Sequence, residues 1–194
     1  MTGHREQPET RRPRKQRSDG VRSRNAILRE AAQLATVEGI DGLSISRLAE
    51  AVGMSKSGLF AHFGSKEELQ LATVETASSI FSAHVLEPAS TAGSGIERLR
   101  LLVHGYLDYV EVETFPGGCF FASVLAEVDM QPGAVRDAQA EGAIDPAEDA
   151  AQLAYELEAY LILANAMFVI RRESTPIERA RGAIERRLTA AART

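Results

Sequence analysis

Between Ser44 and Phe63 the chain reads SISRLAEAVGMSKSGLFAHF, and no other stretch restricts the fold as much. Ile45, Leu48, Ala49 and Val52 recur on one face at helical spacing. Gly53 and Met54 then supply a tight turn. Ser55 can cap a second helix by accepting a backbone N–H, and Leu59, Phe60 and Phe63 are expected to point back to the core. Ser55, Lys56, Ser57 and Gly58 remain at the exposed start of that helix. Such a start suits a helix that enters a DNA major groove N-terminus first while the preceding helix lies across the phosphates. A helix pair built only for packing needs no such crowd of donors and small residues. The expected DNA contacts are Ser44, Ser46, Arg47, Ser55, Lys56, Ser57, Gly58, Leu59, Phe60 and His62, with Lys66 at the next helix start. The hydroxyls and cations among them would serve phosphates or base edges.

From about Ser23 to Leu69 the chain resembles the N-terminal domain of the tetracycline-repressor (TetR) family of bacterial transcription regulators. The run RNAILREAAQLATVEGIDGLSISRLAEAVGMSKSGLFAHFGSKEEL carries the resemblance, most closely in AEAVGMSKSGLFAHFGSKEEL. The family usually has Tyr where Phe60 stands, so one phosphate-contacting hydroxyl is missing; it often has Thr at Ser44, where the hydroxyl is kept. The resemblance implies a homodimeric repressor of double-stranded operator DNA whose variable C-terminal domain binds a small effector. A looser similarity to one C-terminal subgroup runs through GGCFFASVLAEVDMQPGAVRDA and YELEAYLILANAMFVIRRE. That subgroup has a long helix between the PGAVRDA and EGAIDP elements, and here only Gln139 and Ala140 separate them. A helix that would help wall the effector cavity is therefore shortened or absent, or residues are missing from the sequence.

The rest of the chain reads as all-α. It has 194 residues, 44% hydrophobic, with seven prolines and few β-branched runs. Three parts are expected: a disordered basic arm over 1–20, a DNA-binding domain over 21–81 with its helix-turn-helix at 44–63, and an effector-binding and dimerisation domain over 82–194. The net charge of −5 argues against nucleic acid until it is divided. Residues 1–70 carry 12 basic and 9 acidic residues, net +3; residues 71–194 carry 10 and 18, net −8. The basic run RRPRKQR, Arg11 to Arg17, suits electrostatic contact with the DNA backbone. One cysteine, no secretory leader pattern and no apolar run of about 18 residues suggest a bacterial cytoplasmic protein without a membrane partner.

Beyond the reader, helices are expected over Arg22–Glu38, from Lys66 toward Leu86 with a stop near Pro88, Gly95–Glu111, Cys119–Met130, from Asp145-Pro146-Ala147-Glu148 to Arg172, and from Thr175-Pro176-Ile177-Glu178 onward. The helix from Lys66 is the sole covalent link between the halves, so movement in the second half should reach the reader largely through it. Leu161 to Ile170, LILANAMFVI, is apolar nearly all round except for Asn165. Such a helix needs neighbours on every side, and a second copy can supply them. The expected dimer interface is Leu163, Met167, Ile170, Ile184 and Leu188. The expected effector pocket is Tyr106, Tyr109, Phe120, Phe121, Tyr160, Asn165 and Phe168, suited to an apolar or aromatic molecule.

Catalytic and metal sites have little support. His4, His62, His84 and His104 share no ligand spacing with one another or with Cys119, and His104 falls on a charged, solvated stripe. No phosphate-binding glycine loop, serine elbow or one-face carboxylate pair occurs. Neither a cofactor nor an enzymatic activity is expected. The alternative is a small helical enzyme or a redox sensor using Cys119, which follows Gly117-Gly118 at an expected helix start that can lower a thiol pKa.

Overall fold

Local capping starts most of the helices. In the computed structural model, which describes residues 13–122 and 133–193, Ser44 Oγ accepts from the Arg47 amide at 3.1 Å, Ser55 Oγ from Gly58 at 3.1 Å, Ser65 Oγ from Glu68 at 3.0 Å and Ser94 Oγ from Glu97 at 3.3 Å. Each bond satisfies one of the donors that a helix start leaves open. The helices so defined are α1 (Pro13–Glu38), α2 (Ile45–Ala51), α3 (Lys56–Phe63), α4 (Lys66–Phe81), α5 (Glu87–Ser90), α6 (Gly95–Glu111), α7 (Gly133–Ala140), α8 (Ala150–Arg171) and α9 (Thr175–Ala191). A π-helical turn, Ser82–Leu86, joins α4 to α5.

Several boundaries differ from the sequence reading. α1 begins at Pro13, so part of the expected disordered arm is helical; Arg11 and Arg12 lie outside the described residues. Helical structure does not stop at Pro88 but runs through it to Ser90, because Pro88 sits in the first turn of α5, where its missing N–H costs nothing. α8 starts at Ala150, with Asp149 accepting from Ala151 and Gln152, and not at Asp145. The Asp145 amide is tied instead to the Ala191 carbonyl at the end of α9. α9 starts at Thr175 without a side-chain cap. Cys119 to Ala122 form a turn and not a helix start, and the rest of the helix expected up to Met130 lies outside the described residues.

Two apolar cores result. Ile27, Leu28 and Ala31 of α1 pack with Leu43, Leu48, Leu59, Phe63, Leu69 and Ala72. The larger core takes over farther along the same helices: Ala32 of α1 and Ala77 of α4 join it, with Leu99, Val103 and Leu107 of α6, Leu153 and Leu157 of α8, and Ile184 and Leu188 of α9. Ile184 and Leu188 are fully buried within their own chain, so they cannot form the dimer face expected of them. The apolar seam of α9 is real, but it faces α6 and α8. α8 is also long and apolar enough on average to cross a membrane by length and composition, although Glu156 and Glu158 interrupt its apolar run. Only 39% of that stretch is buried, where it packs on α6 and α9.

Candidate nucleic-acid interface and regulatory core

Leu59 and Phe63 are buried and anchor α3, which decides which way its other side chains look. Leu59 is 0% exposed and so cannot touch DNA, against expectation. Phe60 is 46% exposed and does not point into the core as expected; it shares the outer side of α3 with Lys56, Ser57 and Ala61. Phase puts Phe60 at the edge of the inner face: at about 100° per residue, Leu59 and Phe63 lie about 40° apart and Phe60 about 80° from their midline. Gly53, at φ +65°, makes the turn between α2 and α3. Ser55 and Ser57 hydroxyls stand 3.2 Å apart at the start of α3. Gly58 lies beside them, where a Cβ would crowd Ser55 Oγ at 3.1 Å. Ser44 and Ser46 are exposed at the start of α2, and His62 is half-buried at the end of α3.

The expected cations are not equally available. Lys56 is exposed. Arg47 is exposed but pairs with Glu38 at 3.4 Å and with Glu50 at 3.7 Å. Lys66 donates to the Asp41 carbonyl at 2.9 Å, and Gln70 to the Ile40 carbonyl at 2.8 Å, so together they pin the α1–α2 loop to α4. Sequence reasoning missed Arg24, whose guanidinium stacks 4.6 Å over the Phe63 ring; no local spacing announces a contact between residues so far apart.

In the second half, Tyr106 and Tyr109 of α6 form an aromatic cluster with Phe81, Phe115, Phe120 and Phe121, with neighbouring ring centroids 5.1 to 6.4 Å apart. Both tyrosines are buried, and neither hydroxyl meets a partner in hydrogen-bond geometry among the described residues. Burial pushes both phenols far above their ordinary range, and the adjacent Cys119 thiol adds to the effect. The two hydroxyls are therefore neutral donors at any physiological pH. Asn165 and Phe168 of α8 are buried in the same core, and Asn165 Oδ1 accepts the Cys119 amide at 2.8 Å. Tyr160 stands apart from this cluster. It lines a surface groove of about 290 Å³ between α8 and α9, with Leu163, Met167, Pro176, Arg179 and Ala183. On the same exposed side, Leu163 and Ile170 present apolar surface.

Burial pushes the Cys119 thiol up, opposite to the lowering expected of a helix start and opposite to what a nucleophile needs. Among the described residues no group of three or more His, Cys, Asp or Glu could hold a metal ion. His104 is not a solvated histidine as expected. Its Nε2 lies 2.8 Å from Glu185, its Nδ1 3.3 Å from Arg181, and Arg181 in turn binds Asp108 and Glu111. The charged stripe of α6 is thus a clamp onto α9.

Residues 27–73 match the family described as "Bacterial regulatory proteins, tetR family", and residues 95–141 match "Tetracyclin repressor-like, C-terminal domain". The chain is similar to the HTH-type transcriptional repressor AcnR of Corynebacterium efficiens, with 44% identity over 27% of this chain and 28% of that one. It is similar to the HTH-type transcriptional regulator TcmR of Streptomyces glaucescens, with 35% identity over 58% of this chain and 50% of that one. These matches span half or less of the length of the curated relatives. A crystal structure of a TetR transcriptional regulator from Chloroflexus aurantiacus superimposes with a TM-score of 0.77 at 25% identity, over 91% of this chain and 98% of that one. The helix-turn-helix, the helical second domain and the near full-length structural match agree, and the chain belongs to the TetR family of bacterial regulatory proteins.

Proposed function

We propose that the protein is a DNA-binding transcriptional regulator, acting as a dimeric repressor that leaves a palindromic operator when a small molecule binds its second domain. The observation that carries this reading is the start of α3, where Lys56, Ser57 and Phe60 stand outward while Leu59 and Phe63 hold the helix from behind. Ser44, Ser46, Arg47, Ser55, Gly58 and His62 complete the surface offered to DNA, with Lys66 at its edge. The similar corynebacterial protein is named a repressor, which supports the same direction of control.

A palindromic operator needs two readers about one helical turn apart, hence a dimer. The exposed side of α8, with Leu163, Met167 and Ile170, is the surface we assign to the second copy, and that copy rather than a bilayer would cover it. The aromatic cluster around Tyr106 and Tyr109 is the effector site we favour. Its apolar walls and neutral hydroxyl donors suit an uncharged aromatic molecule bearing a hydrogen-bond acceptor. Such a ligand must bind the DNA-incompetent state better in order to release the operator. A bacterial cytoplasmic location belongs to this reading. The raised Cys119 pKa speaks against the enzyme and redox-sensor alternatives.

The test is capture of fragmented genomic DNA by the full chain, followed by titration at several salt concentrations. Enrichment of a palindromic site, with affinity falling steeply as salt rises, is the expected result. Retention of no DNA at low salt refutes the reading.

A further inference from the structure

The two halves meet at a second place besides α4. The segment Glu113–Cys119, between α6 and the turn that follows, is held from both sides. Toward the DNA-binding half, the Gly117 amide donates to Thr36 Oγ1 of α1 at 3.1 Å. The approach is so close that a Cβ on Gly117 would overlap the Thr36 carbonyl oxygen, so only glycine fits. Toward the second half, the Cys119 amide donates to Asn165 Oδ1 at 2.8 Å, and a Cβ on Gly118, at φ +83°, would strike Asn165 and Val169. Arg172, at the end of α8, donates to the Pro116 carbonyl at 2.7 Å and pairs with Glu113 at 3.7 Å.

Glu113 and Arg172 are also the non-glycine residues with positive φ among the described ones, at 51° and 54°. Both are held in the left-handed region while paired to each other. Surroundings must over-determine such a conformation for it to persist, and such strain gathers at switch segments. The ends of the segment lead in useful directions. Thr36 lies one turn beyond Ala32, which packs in the larger core, and two residues before Glu38, which pairs with Arg47 of α2. Cys119 is buried in the same core as Tyr106 and Tyr109, and the ring of Phe115, within the segment, stands edge-on to Tyr109 with centroids 6.1 Å apart.

We propose that Glu113–Cys119 is a strap that couples the aromatic cluster to the DNA-reading helices, because its seats on Thr36 and on Asn165 form and fail together. This adds a route that does not pass through α4. Its use in regulation rests on the function proposed above, but the mechanical coupling does not.

The experiment uses the full chain and two substitutions at opposite ends. Thr36→Val removes the acceptor on α1, and Asn165→Ser removes the anchor on α8. Backbone hydrogen exchange of the free protein is read over residues 44–63. Each variant is expected to speed exchange there by about fivefold, the worth of one hydrogen bond. The double variant should add little more, because the second seat has already failed. If Asn165→Ser does not fold, Arg172→Gly replaces it: it removes the bond to Pro116 and the Glu113 pair while suiting the left-handed backbone. Unchanged exchange over 44–63 in the α8-side variant, or fully additive effects in the double variant, overturns the strap. A second readout is the affinity for a duplex selected by the wild type, which each variant should change by about the same factor. If the wild type selects no duplex, the DNA-binding reading fails alone and hydrogen exchange still decides the coupling.

Discussion

Leu163→Ala should weaken the dimer without weakening the fold. Leu163 is 61% exposed and Ile170 75% exposed in the single chain, so most of each side chain has no cover from its own protomer. Fully burying a leucine is worth about 1.5–3 kcal/mol, so covering what remains contributes roughly 1–1.5 kcal/mol per copy. A two-fold interface uses the residue twice, which brings the loss to about 2–3 kcal/mol. The dimer dissociation constant should rise by roughly 30- to 150-fold. Leu163→Glu should do worse, because it buries an unpaired carboxylate at the same place. Ile184→Ala is the control. Ile184 is fully buried in the protomer, so its truncation should cost about 2–5 kcal/mol of folding stability. Sedimentation velocity over nanomolar to micromolar concentrations, paired with thermal unfolding, separates the two effects. A wild type that sediments as a monomer at micromolar concentration, or a Leu163→Glu variant that stays dimeric, refutes the assignment of this face.

Lys56→Ala should weaken operator binding and flatten the slope of log K against log salt by roughly one unit for each phosphate that the lysine neutralises, measured by titration across salt. Deleting residues 1–17 should lower affinity for all DNA sequences about equally; a changed sequence preference would mean that the arm reads a groove. Tyr106→Phe should raise folding stability by about 1 kcal/mol, since among the described residues its buried hydroxyl has only the weakly accepting Cys119 sulfur beside it, and a drop in the unfolding midpoint would show that the hydroxyl is satisfied. Hydrogen bonds from Gln152, then Arg187, hold the Glu156 carboxyl below its ordinary value of 4.5. A group with a depressed folded pKa stabilises the fold above its unfolded pKa, and that share is lost as pH falls through the folded value. Arg187→Met should therefore lower the unfolding midpoint at pH 7, with the gap to wild type narrowing below about pH 4.5.

What the sequence makes legible is local. The caps at Ser44, Ser55, Ser65 and Ser94 lie three residues from the amides they bind, and a short window contains both partners. The window at Asp145 looks equally good, yet no helix starts there. Tertiary contact decides against it: the Asp145 amide is taken by Ala191, and Ile144 bridges to Ala192, which leaves Asp149 to start α8. Periodicity likewise finds the seam of α9 but cannot say what the seam faces. An apolar stripe that meets α6 and α8 of its own chain looks the same as one that meets a second copy. His104 shows the same limit for charge, since its partners Arg181 and Glu185 are more than 70 positions away.

The strap marks the far end of that scale. Gly117-Gly118 reads as a break between helices, and glycine at a break asks for no explanation. The requirement for glycine at 117 comes from a carbonyl 81 residues earlier, and the requirement at 118 from its own φ of +83° together with a side chain 47 residues later. Neither distant partner is written anywhere near the pair. A segment whose residue choices are dictated from both sides at once cannot relax toward one side without loosening on the other. That is why the coupling is expected to run in both directions, with ligand affecting DNA affinity and DNA affecting ligand affinity by the same factor.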